Sequence, residues 1–142
     1  HEDADASSFT LLYGHANDAL KAADIGLVAS GTATLEAALA RCPQVVFYRV
    51  APLTARIVQR TLLVPWVGLP NVLAGRFVVP ELLQEDATPE SLAQAALNLF
   101  DDTVTRHALE RLFAGFAREL SADTGALAAD AVAHELALSS AR

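Results

Sequence analysis

The 142 residues suffice for one domain of ordinary size, and a composition 53% hydrophobic and 19% charged excludes a chain left disordered for want of apolar side chains. A formal net charge of −7 argues against a general nucleic-acid binder. No apolar run reaches the roughly 18 residues that a membrane helix needs, and Leu62–Leu73, the most apolar stretch, is broken by Pro65, Gly68, Pro70 and Asn71.

The chain opens at His1 and contains no methionine, which reads as a segment cut from something longer. Its first eight residues are polar and acidic. Phe9–Tyr13 is a short apolar run closed by Gly14 and predicts a strand; Ala16–Ala23 predicts a short helix. Ile25–Ala29 predicts a buried strand that runs straight into Ser30-Gly31-Thr32. Helix formers fill Ala33–Arg41, with Leu35, Ala38 and Leu39 on one face, until Pro43 stops them. Cys42, the single cysteine, has no internal disulfide partner and fits a reducing compartment and a small packing role. Gln44–Tyr48 is β-branched and aromatic and predicts the next buried strand.

Pro52 opens a predicted helix through Leu62, with Leu53, Ile57 and Val58 inside and Arg56 and Arg60 outside. Trp66–Leu69 predicts a short strand or extended piece, Pro70–Gly75 a turn or one helical turn, and Pro80–Gln84 a short helix. Thr88-Pro89-Glu90 is a helix start, with threonine as cap and proline at the first helical position, followed by Leu92, Ala95, Ala96 and Leu99 at helical spacing. Helices over Thr103–Leu120 and Thr124–Leu138 complete the chain. The four histidines are scattered, and no Cys or His pair stands at metal-ligand spacing. Alternating strands and helices predict an α/β class: a partial Rossmann-like parallel sheet over residues 1–100, then a helical segment over 101–142.

Charge is unevenly spread. Residues 37–80 contain no acid and five arginines, Arg41, Arg49, Arg56, Arg60 and Arg76. That block suits an anionic partner, or ion pairs with the acidic flanking helices.

The Ser30-Gly31-Thr32 turn is where chemistry is expected. Ligands of open parallel sheets bind at the carboxyl ends of strands. A helix N-terminus there offers free N–H groups and about half a positive charge, a seat for phosphate. Gly31 lets an anion approach the backbone, and Ser30, Thr32 and Thr34 add hydroxyls. Glu36 sits four residues after Thr32, whereas a capping box needs three, so capping explains it poorly. A carboxylate there can hold two adjacent ribose hydroxyls. Taken alone, the turn fits a nucleotide or phosphate site or a plain helix cap.

The turn does not stand alone. SGTATLEAAL at Ser30–Leu39, PQVVFYRVAPLT at Pro43–Thr54, VGLPNVLAGR at Val67–Arg76 and VPELLQEDATPE at Val79–Glu90 together resemble the lipid-A-disaccharide synthase family, in its order and spacing. The resemblance implies the C-terminal part of a GT-B glycosyltransferase of two Rossmann domains, with residues 1–100 as part of the UDP-sugar-binding domain. It implies transfer from UDP-2,3-diacylglucosamine to 2,3-diacylglucosamine 1-phosphate with release of UDP, no cofactor and no obligatory metal. It further implies action at the inner face of the inner membrane as a peripheral, cytoplasmic protein, a separate N-terminal domain holding the acceptor, and a homodimer through the C-terminal helices. This chain alone is then expected to be inactive.

Carried over, Ser30, Gly31, Thr32 and Ala33 line the diphosphate side, Glu36 holds ribose, and Asn71 hydrogen-bonds sugar or phosphate or simply closes a turn after Pro70. Arg49 or Arg76 neutralises the leaving group or is structural. Glu81, after Pro80, reads as a helix-start residue before a catalyst, and no general base is assigned. Two other readings stay open: a non-catalytic nucleotide-binding α/β module, and another UDP-sugar GT-B enzyme.

Overall fold

Short apolar segments cannot satisfy their own backbone groups, so they pair with one another. In the computed structural model, β1 (Gly26–Ala29), β2 (Gln44–Tyr48) and β3 (Glu81–Leu83) form one parallel sheet in the order β1-β2-β3. Val28 lies abreast of Val46, and Val46 abreast of Glu81. The structure describes residues 9–51, 65–121 and 123–140. Around the sheet stand α1 (Ala16–Ala22), α2 (Thr32–Leu39), α3 (Leu69–Ala74), α4 (Pro89–Asp101), α5 (Thr103–Leu120) and α6 (Thr124–Ser140), with a 3₁₀ turn at Gln84–Asp86. Parallel strands with flanking helices make this the α/β class expected from the sequence, consistent with a partial Rossmann-like fold.

Local signals explain the helix starts. Thr88 Oγ1 accepts from Ser91 N at 3.1 Å, with Pro89 at the first position of α4. Asp102 caps α5, accepting from Thr105 N at 2.9 Å and from its hydroxyl at 2.6 Å. The core gathers where α2, α4 and α5 meet β2: Ala38, Val45, Val46, Val79, Leu99, Leu109, Phe113 and Phe116 form one buried cluster. Phe113 is wholly buried, and its ring lies 6.0 Å from that of Phe116. Burying such a side chain contributes about 2–3 kcal/mol, so α5 is fastened to the sheet by its own aromatic stripe. A second cluster, Val28, Ala37 and Cys42, packs under Leu20 of α1.

Three expectations are corrected. Phe9–Tyr13 forms no strand; Leu11 and Tyr13 are 98% exposed, and among the described residues no strand pairs with them. Trp66–Leu69 is extended only as far as Gly68, outside the sheet, and Leu69 already opens α3. Pro80–Gln84 is not a helix. Glu81–Leu83 pairs with Val46–Tyr48, and the helical turn begins only at Gln84. Pairing with a buried β2 outweighs the helix-start reading of Pro80. The helix predicted over Pro52–Leu62 lies outside the described residues.

Candidate functional site

β1 delivers the site. Its last hydrogen bond, Ser30 N to Phe47 O at 2.8 Å, carries the sheet one residue past Ala29, and the chain then turns into α2 at Gly31. Gly31 adopts φ 144°, ψ −162°, a conformation that side chains rarely take. Among the described residues nothing lies within 4 Å of where a Cβ would stand. No side chain caps α2 at Gly31. The amides of Thr32 and Ala33 head the helix, where no earlier carbonyl can meet them. Both residues are exposed, so the turn presents N–H donors and the positive end of a helix to solvent.

The sides of α2 divide cleanly. Thr34, Ala37 and Ala38 are buried, whereas Thr32, Ala33 and Glu36 are exposed. Glu36 stands one turn below Thr32, about 6 Å along the axis. It lines a concavity of about 330 Å³ with Asn17 and Lys21 of α1 and with Leu39 and Ala40. Asn17 and Lys21 were not singled out in the sequence, since only tertiary packing brings α1 beside α2. A phosphate over the Thr32 and Ala33 amides and a vicinal diol at Glu36 fit this spacing.

The two hydroxyls flanking the turn face inward. Ser30 Oγ donates to Val67 O at 3.0 Å. Thr34 Oγ1 donates to Gly31 O at 2.7 Å and accepts from Leu69 N at 3.2 Å. Gln44 Nε2 donates to Thr34 O at 2.9 Å. Both hydroxyls therefore brace the turn, and Thr32 supplies the exposed one.

Arg49 leaves β2 at the same carboxyl edge and is exposed, making no ion pair among the described residues. The next residue, Val50, is clasped by Gln84: Val50 N donates to Gln84 Oε1 at 2.8 Å, and Gln84 Nε2 donates to Val50 O at 3.2 Å. Gln84 holds a left-handed φ of 52° to do so. This clasp between the ends of β2 and β3 carries no local sequence signal.

Asn71 and Arg76 are placed differently from the turn. Asn71 is wholly buried, with every amide bonding position in use. Its Nδ2 donates to Val79 O at 2.9 Å and Glu81 Oε1 at 2.7 Å, while Oδ1 accepts from Val78 N at 2.7 Å and Val79 N at 2.9 Å. Glu81 begins β3 and accepts from Val67 N and Gly68 N, both at 2.9 Å. Arg76 is exposed beyond the C-terminal end of α3, in a concavity of about 170 Å³ with Phe77, Thr105 and Leu109. That part of α5 lies at the amino edge of the sheet, since Arg106 pairs with Asp24, just ahead of β1, at 3.7 Å. Ser30, Gly31, Thr32, Ala33 and Arg49 thus share the carboxyl side of the sheet; Glu36 lies one turn down α2, in a concavity whose Lys21 and Ala40 also line the amino edge, and Arg76 does not join them.

A larger concavity of about 470 Å³ lies at the amino edge, lined by Lys21, Asp24, Arg41, Arg106, Glu110 and Arg111 among others. Lys21 stands in the last turn of α1, where the partial negative charge of the last carbonyls favours a cation, and Arg41 follows the C-cap of α2. Cys42 is not an accessible nucleophile there: burial, with a smaller contribution from Asp24, pushes its thiol up to about 11.

A family model described as lipid-A-disaccharide synthetase matches residues 1–132. The lipid-A-disaccharide synthase of Dechloromonas aromatica is 53% identical over 124 residues, covering 87% of this chain and 32% of that protein. Its counterpart in Cellvibrio japonicus is 50% identical, with 87% and 32% covered. The Burkholderia mallei synthase is 52% identical over 127 residues, with 89% and 33% covered. The chain spans about a third of the length of these curated relatives.

Proposed function

The chain belongs to the lipid-A-disaccharide synthetase family, and on that premise we propose that it supplies the donor side of a glycosyltransferase joining UDP-2,3-diacylglucosamine to 2,3-diacylglucosamine 1-phosphate. In that reaction an acceptor hydroxyl attacks the anomeric carbon of the donor. The bond from that carbon to the diphosphate breaks, and UDP leaves with the bonding electron pair. The hydroxyl proton passes to a base that we assign to another part of the enzyme, as no residue of this chain is assigned that role.

The observation that carries this reading is the uncapped start of α2 at the carboxyl edge of the sheet, with Glu36 one turn further in. The Thr32 and Ala33 amides and the Thr32 hydroxyl take the diphosphate, and the helix dipole stabilises the charge that grows on it as the bond breaks. Glu36 accepts from both ribose hydroxyls. Arg49, exposed at the same edge, is among the described residues the cation nearest in register to the turn and is assigned to the leaving group. Asn71, enclosed as it is, acts by positioning and not by direct contact.

No described helix is long and apolar enough to cross a membrane, and acyl-chain substrates bring the enzyme to the inner face of the inner membrane as a peripheral protein. α6 exposes Leu127, Val132 and Leu136 at 60–66%, which supports its packing against a second subunit.

The test is a titration of the chain with UDP and, separately, ADP, followed by amide NMR. Saturable UDP shifts at Thr32, Ala33 and Glu36, weaker with ADP and lost in Glu36→Ala, are expected. A folded chain whose turn amides do not respond to UDP refutes the donor-site reading.

A further inference from the structure

Three N–H donors converge on one carboxylate behind the turn. Glu81 Oε2 accepts from Val67 N at 2.9 Å; Oε1 accepts from Gly68 N at 2.9 Å and from Asn71 Nδ2 at 2.7 Å. Glu81 is itself fixed by the sheet, abreast of Val46. The loop it holds is the one that braces the turn: Val67 O receives Ser30 Oγ at 3.0 Å, and Leu69 N donates to Thr34 Oγ1, which donates on to Gly31 O. Hydrogen bonds therefore run unbroken from Glu81, through Val67–Leu69, to both sides of Gly31.

We propose that Glu81 is a positioning residue for the diphosphate seat. It touches no ligand. It holds Val67–Leu69 against the sheet, so that Ser30 and Thr34 are fastened and the Thr32 and Ala33 amides keep a fixed outward aim. A preorganised donor pair binds a developing anion better than one that must be ordered first.

The chemistry of the acceptor matters. A carboxylate offers lone pairs on both oxygens to donors arriving on both sides. A glutamine of the same shape turns an N–H₂ toward one of those backbone N–H groups and leaves a partly buried donor without an acceptor. Gly68 belongs to the same device. A Cβ there would stand 3.0 Å from Glu81 Oε1 and 3.1 Å from Val46 Cγ2, so a larger residue would push the carboxylate aside by a few tenths of an ångström.

The inference rests on the donor-site reading, and the test separates the two. Wild-type chain and Glu81→Gln are each titrated with UDP and with uridine, which has the ribose but no diphosphate, and followed by amide NMR. Glu81→Gln is expected to weaken UDP about tenfold, leave uridine within about twofold, and shift the free-state amides of Ser30, Gly31 and Thr32. A folded Glu81→Gln that binds UDP as wild type does overturns the inference alone. So does equal weakening of UDP and uridine, which marks general damage to the site. A wild-type chain that does not bind UDP overturns the donor-site reading and the inference with it. If Glu81→Gln does not fold, Gly68→Ala, which displaces the same carboxylate, carries the same expectation and the same refutation.

Discussion

Removing the Asn71 amide tests whether this residue faces a ligand or holds the protein together. Asn71 is fully buried and makes four hydrogen bonds, to Val78 N, Val79 N, Val79 O and Glu81 Oε1. Alanine deletes all four. Val79 O and the two backbone N–H groups lose this partner, and Glu81 keeps its bonds to Val67 N and Gly68 N. At about 1 kcal/mol net per bond, and more where a buried donor is stranded, Asn71→Ala should cost about 3–5 kcal/mol. At about 3 °C per kcal/mol for a chain of this size, the melting temperature falls by roughly 10–15 °C. The assay is urea and thermal unfolding by circular dichroism, with amide exchange at Val78 and Val79 as the local reporter. A loss below about 1 kcal/mol, with UDP binding abolished in a still-stable protein, would refute the internal role and restore Asn71 as a direct ligand contact.

Phe113→Ala should cost about 3–5 kcal/mol and speed exchange at Val45 and Val46 as well as along α5, because these residues share one core; a loss confined to α5 amides in hydrogen exchange would contradict that sharing. Gly31→Ala should cost about 1–3 kcal/mol in calorimetric unfolding, since its φ of 144° is closed to side chains; an unchanged melting temperature would contradict the strain. Cys42 should resist iodoacetamide at pH 8 until the protein unfolds. With its folded pKa raised from 9.0 to about 11, its contribution to stability is fully present below about pH 9 and lost as pH rises through 11, a slope that Cys42→Ala should remove from the pH dependence of unfolding. Asp102 titrates below its usual range because the Thr105 hydroxyl, then the Thr105 amide, favours the carboxylate; its stabilisation is present above about pH 4 and lost as pH falls, so any melting-temperature gap between wild type and Asp102→Asn at pH 7 should narrow as pH is lowered.

What the sequence made legible was local. The boundaries of β2 and α5 agree with those read from a β-branched, aromatic run and from a helical apolar face. The Gly31 turn was equally readable, because a strand, a glycine and a helix start are contiguous. What stayed hidden depends on long-range contact. β3 is three residues with weak strand propensity, and only β2 makes it a strand. Glu81 looked like a helix-start residue and Asn71 like a ligand contact or a turn residue, yet each is defined by partners up to fourteen positions away. Ser30 and Thr34 looked like ligand hydroxyls because sequence cannot tell which way a hydroxyl turns. Arg76 follows Asn71 closely, but the turn at Gly75 sends it to the other edge of the sheet.

The most direct test grafts this chain in place of the matching third of the Dechloromonas aromatica synthase, to which it is 53% identical. UDP release and disaccharide formation are then measured from UDP-2,3-diacylglucosamine and 2,3-diacylglucosamine 1-phosphate. Turnover by the graft, with KM for the donor raised about 10- to 100-fold by Glu36→Ala through loss of charge-assisted ribose bonds, is the expected result. A well-folded graft that releases no UDP, or one indifferent to Glu36→Ala, would contradict the claim that this chain holds the donor through the α2 turn.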